Sequence, residues 1–204
     1  MARPSNTKEK REEICLALTR VMARTGYDGA TVSAIAAEAG VASGGVHYHF
    51  ASKGEILIEL VNRLVGSAET RIQMRTSQAA GAREELFAIL DGLLDTQDDS
   101  DSAAVAVWAL IGAEAVRNQD VRRVYGSWIA RARERLRKAF TEACRAEGRS
   151  AQGATRAAAA LIALVEGYYT IAAGAPSVIP PGSAAPSSRQ IAAALLEQQP
   201  RRAS

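Results

Sequence analysis

Residues 31–57 read TVSAIAAEAGVASGGVHYHFASKGEIL, and they contain two short helical patterns joined by the tripeptide Ala39-Gly40-Val41. Thr31 can cap the start of the first helix, and Gly40 can adopt the left-handed backbone that ends it. The small apolar side chains of this helix recur at helical spacing, at Val32, Ile35, Ala36 and Ala39. The stretch therefore predicts two helices that meet at a tight turn.

The second of these segments, residues 43–49, has a single inward stripe made by Val46 and Phe50. The other side of the helix is then an outward face of small and polar residues, which would contribute little apolar area to a core. A helix with that face suits the major groove of DNA, because small residues let the backbone approach the base edges. The residues of this face are Ser43, Gly44, Gly45, His47, Tyr48 and His49.

A third helix is predicted to begin near Lys53, since Ser52 followed by Glu55 forms a capping box. The positive end of that helix and the Lys53 ammonium then point the same way, which suits a phosphate. We therefore predict a DNA-reading head with a phosphate contact at its last helix.

Together with upstream residues, these motifs resemble the N-terminal domain of the tetracycline-repressor (TetR) family over about the first 60 residues. The residues that carry the resemblance are Ile14, Ala17, Leu18, Gly26, Tyr27, the 31–41 pattern and Tyr48-x-Phe50-x-Ser52-Lys53. The chain departs from the family at Ala42, where a capping serine is usual, at His47, where a tyrosine is usual, and at Gly54, where an acid is usual. We expect Ser43 to take over the cap.

The resemblance implies an all-α fold, with a three-helix helix-turn-helix domain at 1–52 and a helical regulatory, ligand-binding and dimerisation domain at 53–204. It also implies a sequence-specific repressor that a small molecule releases from a palindromic operator. We assign phosphate contacts to Lys53, Thr31 and Tyr48, and packing or a phosphate bond to His49. The remaining predicted DNA contacts are Ser43, Gly44 and Gly45 close to base edges, with Ser33 and His47 as base readers.

The composition of the 204 residues, 48% apolar and 23% charged, is typical of a folded chain rich in helix. No apolar run is expected to approach the ~18 residues that a membrane span needs, and the first residues lack a signal peptide's apolar region. We therefore expect a cytoplasmic protein without a membrane partner. Cys15 and Cys144 have no metal-ligand spacing, and buried free thiols are expected, with a redox role for Cys144 as the alternative.

Charge alone argues weakly for DNA, because the net charge is +3 and the first 60 residues hold seven basic and seven acidic side chains. The distribution is more informative, since the N-terminal arm concentrates basic residues against Glu9 alone. The arm's basic residues are Arg3, Lys8, Lys10 and Arg11. This arm is interpreted either as a phosphate-neutralising surface together with Lys53 or as a disordered solubilising tail.

The rest of the chain predicts a helical regulatory domain, with helices at 53–78, 83–96, 102–117, 120–147 and 152–173. Residues 95–102 predict a solvated acidic turn, 174–188 a proline-rich loop, and Ile191–Leu196 a terminal helix. Residues 117–149 hold ten basic side chains against four acids. We interpret them as a solvated face with pairs such as Glu134 to Lys138, and a second nucleic-acid surface is the alternative.

The alanine-rich helix at 154–173 and the terminal helix are the predicted surface of a homodimer. Small side chains allow helices of two subunits to approach closely, and a dimer reads two half-sites about 34 Å apart. The alanines concerned are Ala157, Ala158, Ala160 and Ala163. Packing of these alanines within one subunit is the alternative.

Seven of the ten aromatic residues lie outside the first 60 residues, and several could enclose a ligand together with a carboxylate. Aromatic walls and a negative charge suit a cationic amphiphile, and the segments weakly resemble choline-responsive members of the family. The predicted ligand contacts are Trp108, Glu114, Tyr125, Trp128, Glu166, Tyr168 and Tyr169. Ordinary core packing explains each aromatic singly, so the identity of the effector stays open.

An enzyme is not expected, since neither an acid-base arrangement nor a phosphate loop is present. The two histidines, His47 and His49, would point roughly 200° apart on a helix, so no catalytic or metal site and no cofactor is predicted. The alternative function is a helical ligand- or protein-binding bundle whose degenerate head, marked by Ala42, His47 and Gly54, no longer binds DNA.

Overall fold

The computed structural model describes residues 4–94 and 101–202, and these form helices joined by short turns. Their only β pairing is an isolated bridge between Arg149 and Arg201, so the predicted all-α fold is confirmed. In chain order the helices are α1 Pro4–Gly29, α2 Val32–Glu38, α3 Ser43–His49, α4 Lys53–Thr76, α5 Ala82–Leu94, α6 Asp101–Arg117, α7 Gln119–Ala146, α8 Ala154–Gly174 and α9 Ala184–Glu197.

The ends of α4 to α8 agree with the predicted ends within two residues, because apolar periodicity and glycine stops mark them in the sequence. The proline-rich loop predicted to run from 174 to 188 is shorter than expected, since α9 begins at Ala184. Proline is tolerated in the first turn of a helix, and Pro186 lies there. Most of the predicted acidic turn, residues 95–100, lies outside the described residues.

Two compact units are formed by the chain, and the first combines residues 1–64 with 98–125. In this unit α1 packs against α2, α3 and α6, and a kink at Gly26, where φ is +70°, bends the end of α1. The unit's core residues are fully or almost fully buried: Ile14, Leu18, Met22, Ile35, Val46, Phe50, Ile56, Leu57, Val107 and Ile111. The short helices α2 and α3 are held by this packing, because helices of seven residues are not stable alone.

The second unit combines residues 65–97 with 126–204, and α5, α8 and α9 pack together in it. Helix α8 is long and apolar enough by length and composition to cross a membrane, so the prediction that no run approaches this length is wrong. Core helices pass the same test, and the face of α8 with Leu161 and Val165 is buried here. The unit's other core residues include Leu86, Leu90, Leu136, Phe140, Ala192 and Leu196.

The arginine-rich face of α7 is exposed, and several of its arginines pair with nearby acids. Glu134 forms its ion pair with Arg137 at 2.7 Å and not with Lys138 as predicted. Further pairs join Arg123 to Asp120, Arg145 to Glu142 and Arg131 to Glu69. The predicted solvated face is thus what the structure contains.

Both cysteines are free and buried, as predicted. Burial raises the pKa of the Cys15 thiol to about 11 and also raises the pKa of the Cys144 thiol. A buried thiol with a raised pKa carries little thiolate, so Cys144 lacks the property that a redox sensor needs.

Gly92 lies where α5 comes close to α4 in the second unit. A Cβ at position 92 would lie 2.7 Å from the Cα of Ile72, and backbone cannot move aside cheaply. We expect Gly92→Ala to lower the free energy of unfolding by about 1–3 kcal/mol through overpacking, measured by urea denaturation followed by circular dichroism.

Gly126→Ala is the matched control, since Gly126 lies in α7 and a Cβ there would meet nothing within 4 Å. This change should raise stability by about 0.5–1 kcal/mol, because alanine is the better helix former. If Gly92→Ala were as stable as Gly126→Ala, the close crossing of α4 and α5 would be wrong.

Candidate nucleic-acid interface

Two predicted features of the helix-turn-helix are present, the cap at the start of α2 and the glycine that ends it. The Thr31 hydroxyl oxygen accepts a hydrogen bond from the Ala34 N–H at 3.1 Å and so caps α2. Gly40 has φ of +66°, which ends α2 and turns the chain toward α3. The prediction that Ser43 caps α3 is wrong, because Ala42 occupies the cap position and no side chain bonds there.

The outward face of α3 is open to solvent at four of its six residues, while Gly45 and His49 are half-buried. Ser43, Gly44, His47 and Tyr48 are exposed, and Tyr48 is 79% exposed although it is a large aromatic residue. On the opposite side Val46 is buried and anchors the helix. The helix therefore presents hydroxyl, imidazole and phenol groups without burying them in its own unit.

Neither glycine of α3 is required by packing within the chain. A Cβ at Gly44 would meet nothing within 4 Å, and a Cβ at Gly45 would make only ordinary contact with Val41 at 3.6 Å. Both have ordinary helical backbone, where glycine costs roughly 0.5–1 kcal/mol relative to alanine. The absence of side chains here thus leaves room on the outside of the helix.

Arg11 on α1 supports α3, a role that the sequence pattern did not predict. One guanidinium nitrogen donates to the carbonyl oxygen of His49, and the guanidinium lies 3.9 Å from the centre of the Phe50 ring. The carboxylates of Glu55 and Glu59 lie 3.5 Å from the same group. Arg11 therefore holds α3 in place, and two carboxylates balance its charge. Its assignment to a free basic arm is wrong.

Lys53 is directed toward α1 and not into solvent. Its ammonium donates to the carbonyl oxygen of Tyr27 at 2.8 Å and lies 4.2 Å from the centre of the Tyr27 ring. Burial raises the pKa of the Tyr27 phenol, which keeps that ring neutral. Two further N–H donors of the ammonium are not used by this bond.

The remaining predicted head residues differ in what surrounds them. Ser33 is exposed on α2, whereas His49 is half-buried, with its ring 5.0 Å from that of Tyr48 in an edge-to-face arrangement. The Nδ1 atom of His49 is buried without a hydrogen-bond partner among the described residues. In the arm, Lys8 is exposed and Lys10 pairs with Glu13 at 2.6 Å, while Arg3 lies outside the described residues.

Three of the predicted ligand contacts lie in the first unit. Trp108 is buried on α6, with its ring centre 5.5 Å from that of Tyr125. Glu114 is also buried, and Arg117 bonds it at 2.8 Å while reaching Asp28 of α1 at 2.9 Å. The Glu114 carboxylate is therefore already matched by a cation of the protein.

The other four predicted ligand contacts lie in the second unit. Trp128 is buried on α7, and Glu166, Tyr168 and Tyr169 are half-buried on α8. The Tyr169 hydroxyl donates to the carbonyl oxygen of Leu93 at 2.6 Å. A groove of about 740 Å³ opens within this unit, and of the four residues Trp128 alone contributes to its lining.

Comparison with known families gives two matches along the chain. Residues 14–60 match the family described as bacterial regulatory proteins, tetR family. Residues 82–199 match the family described as BetI-type transcriptional repressor, C-terminal. The second match spans more than half of the chain.

Individual proteins agree with these matches. A transcriptional regulator of the helix-turn-helix type, BetI from Agrobacterium fabrum, is 29% identical over 160 residues, covering 78% of this chain and 75% of BetI. A solved transcriptional regulator from Rhodococcus is 25% identical, with a TM-score of 0.79 and coverage of 95% and 99%. Another, from Saccharomonospora viridis in complex with choline, is 26% identical, with a TM-score of 0.78 and coverage of 96% and 100%.

Proposed function

The chain belongs to the TetR family of DNA-binding transcriptional regulators, and we propose that it represses from a palindromic operator which α3 reads in the major groove. The observation that carries this proposal is the exposed face of α3, with Tyr48 79% exposed and two glycines that packing does not require. A helix without bulky side chains in its first turn can bring its backbone close to base edges.

Base readout is assigned to the residues on or beside this face. Ser43, Gly44 and Gly45 lie at the start of α3, where the backbone approaches the groove floor most closely. His47 offers a donor and an acceptor to a base edge, and Ser33 on α2 offers a hydroxyl. Because histidine is shorter than the tyrosine usual in the family, His47 reads bases only where the helix lies deep in the groove.

Phosphate contacts are assigned to residues at the borders of the head. The Thr31 hydroxyl, which accepts a bond within the cap, still has a proton to donate. Tyr48 reaches outward by its length, and Lys53 and the exposed Lys8 supply positive charge. His49 supports α3 through its backbone bond with Arg11 and is proposed to reach a phosphate with its ring.

Replacing Lys53 by alanine is expected to weaken binding to all DNA sequences alike, by about tenfold, because one charge-assisted bond to phosphate is lost. The slope of log affinity against log salt should also fall by about 1. Fluorescence anisotropy with operator and scrambled duplexes, over a salt series, measures both quantities.

The control Lys53→Arg keeps the charge and should retain most of the salt slope. Because Lys53 also bonds the Tyr27 carbonyl, the unfolding transition of each variant is recorded alongside. A folded Lys53→Ala variant with wild-type affinity and slope would remove Lys53 from the phosphate contacts.

A homodimer through α8 and α9 is part of the proposal. The exposed face of α8 holds several alanines and Ile171 beside Arg156 and two threonines, and α9 adds Ile191, which is 41% exposed. The outward residues on α8 include Ala159, Ala160, Ala163 and Ile171. Placing Ala157 and Ala158 in the dimer surface is wrong, because both are buried within one subunit. Two such faces related by a twofold axis would place two heads on one palindrome.

The effector is proposed to be a small molecule, and choline is the first compound to test because a 26% identical relative was solved in complex with it. The aromatic pair Trp108 and Tyr125 offers ring faces to a quaternary ammonium group. The second unit offers aromatic rings and a carboxylate, from Trp128, Tyr168, Tyr169 and Glu166. Separate substitutions in the first-unit pair and in this second set test which of them binds the effector. Effector binding would be coupled to the head through α4, which is one continuous helix from Lys53 to Thr76.

The test of the function is a mobility-shift assay of the purified protein on the DNA upstream of its own gene, over a salt series and with choline added. We expect a preference for one palindrome that persists as salt rises, since base readout does not depend on counterion release. Equal affinity for palindrome and bulk DNA at every salt concentration would instead support the alternative, a bundle with a degenerate head. A cytoplasmic location is proposed because operator DNA is there.

A further inference from the structure

A polar cleft of about 580 Å³ lies in the second unit, between the turn that joins α7 to α8 and the chain that follows α9. Its volume falls in the range of about 300–1,000 Å³ that is usual for small-molecule sites. The cleft is separate from the groove that Trp128 lines, because the described lining residues of the two do not overlap. The residues that line the polar cleft are Ser150, Ala151, Gln152, Arg201 and Arg202.

The two walls of the polar cleft are fixed to each other by backbone hydrogen bonds. The Ser150 N–H donates to the carbonyl oxygen of Pro200 at 2.8 Å. The Arg202 N–H donates to the carbonyl oxygen of Gly148 at 2.9 Å. These bonds form within one chain, so the cleft exists before a ligand binds and little of the backbone has to be ordered on binding.

The charge of the cleft is positive, because its described lining includes two arginines and no acid. Arg201 and Arg202 are exposed, and neither has an ion-pair partner within residues 4–94 and 101–202. The acids within five residues of the lining pair instead with other arginines at 2.7 to 3.9 Å, in the pairs Glu147–Arg83, Glu147–Arg149 and Glu197–Arg83. The two guanidiniums of the cleft are therefore available to an anion.

Neutral hydrogen-bond donors complete the lining. The Ser150 hydroxyl accepts a bond from the Gln152 N–H at 3.3 Å, so its own proton can be donated to a ligand. Gln152 is exposed, and its side-chain amide adds two N–H donors. Helix α8 begins at Ala154 and has no side-chain cap among the described residues, so the positive end of its dipole lies beside the cleft. Each of these groups favours an anion over a cation.

We propose that the polar cleft binds a small polyvalent anion, a molecule with two or more phosphate or carboxylate groups. Arg201 forms a β bridge, and successive side chains of an extended segment point to opposite sides, so the two guanidiniums reach the cleft from two directions. Two separate anionic groups engage both arginines, each through the paired N–H donors that a guanidinium presents. A ligand with one anionic group engages only one of them. This ligand class differs from the cationic effector proposed above, and its binding does not depend on DNA.

Isothermal titration calorimetry of the full chain without DNA tests the ligand class. The probes are pyrophosphate, citrate, inorganic phosphate and acetate, each as the sodium salt at constant ionic strength. We expect pyrophosphate and citrate to bind at least about tenfold more tightly than phosphate and acetate, because two charge-assisted contacts replace one. Tighter binding of pyrophosphate would identify a phosphate ester as the ligand, and tighter binding of citrate a polycarboxylate. Equal affinities of all four probes, or no binding of either polyvalent probe, would overturn the proposal.

The double substitution Arg201→Gln with Arg202→Gln should weaken binding of the tighter probe by at least about tenfold. Arg123→Gln with Arg133→Gln is the matched control, because it removes the same charge at exposed residues of α7 outside the cleft. All four arginines are exposed, so both variants should fold, and circular dichroism checks this. An equal loss of affinity in both variants would show attraction to the overall charge of the protein and would contradict a site at the cleft.

Hydrogen exchange of the backbone tests the position of the site. The Ser150 and Arg202 N–H groups bond across the cleft, so exchange in the peptides that contain them should slow when pyrophosphate binds to the wild type. The same peptides should not respond in the cleft variant. Binding without this protection would place the anion elsewhere. A loss of operator affinity in the cleft variant alone would assign the two arginines to DNA phosphates and would also overturn the proposal.

Discussion

Two aspartates on the exposed face of α8, introduced as Ala160→Asp with Ala163→Asp, are expected to convert the proposed dimer into monomers and to reduce operator affinity by about 10²- to 10⁴-fold. The first effect follows because carboxylates would be buried between two copies of a small-residue surface, where each lacks a partner. The second follows because a monomer binds one half-site and loses the second, linked binding event. Light scattering after size exclusion gives the mass, and anisotropy with a full palindrome gives the affinity.

The matched control places aspartates at Ala80 and Ala146, which are exposed and lie outside α8 and α9. This variant carries the same added charge, so long-range repulsion from DNA affects both proteins equally. Binding to a single half-site gives a second comparison, since the α8 variant should bind it as well as the wild type does. A dimeric mass for the α8 variant would mean that the subunits associate through another surface.

Gly44→Glu is expected to lower operator affinity by on the order of 100-fold, about 3 kcal/mol, while the fold is retained. The fold should tolerate it because a Cβ at position 44 meets nothing within 4 Å and the backbone there is ordinary helix. The affinity should fall because the new carboxylate would stand at the tip of α3, where it both separates the helix from the bases and repels phosphate. Anisotropy with operator and scrambled duplexes measures the change.

Gly66→Glu is the control for Gly44→Glu. Gly66 is likewise helical, exposed and without neighbours for a Cβ, but it lies on α4 outside the candidate interface. The smaller change Gly44→Ala distinguishes bulk from charge and should alter the preferred sequence more than the affinity. Operator binding by Gly44→Glu as tight as that of Gly66→Glu would show that α3 does not enter the groove.

Features that depend on neighbours along the chain were predictable. The cap at Thr31 and the stop at Gly40 follow from the chemistry of single residues at fixed offsets. Helix ends agreed within two residues where the apolar period was clear. The error at α9 has the same local origin, because the four prolines between 174 and 188 were interpreted as one loop although the last of them, Pro186, lies in the first turn of a helix.

The direction of charged side chains was not predictable in this way. Arg11 was assigned to a free basic arm, yet it bonds the backbone of His49, 38 residues away in the chain. Lys53 was expected to face a phosphate, and sequence spacing did not indicate that it also bonds Tyr27, 26 residues away. Glu134 forms its ion pair with Arg137 instead of the predicted Lys138. Several partners are within reach of each long side chain, so sequence spacing alone does not select among them.

The order of residues by itself determined that this protein is helical, that its head contains a helix-turn-helix and that α3 carries small and polar residues on one face. These properties depend on the helical period and on caps and turns, which involve residues only a few positions apart. Tertiary structure alone decided which cations pair with acids, which unit holds each aromatic residue and where a groove opens within the second unit. Those outcomes depend on contacts between residues tens of positions apart, such as Arg83 with Glu147, which form only when the helices have packed.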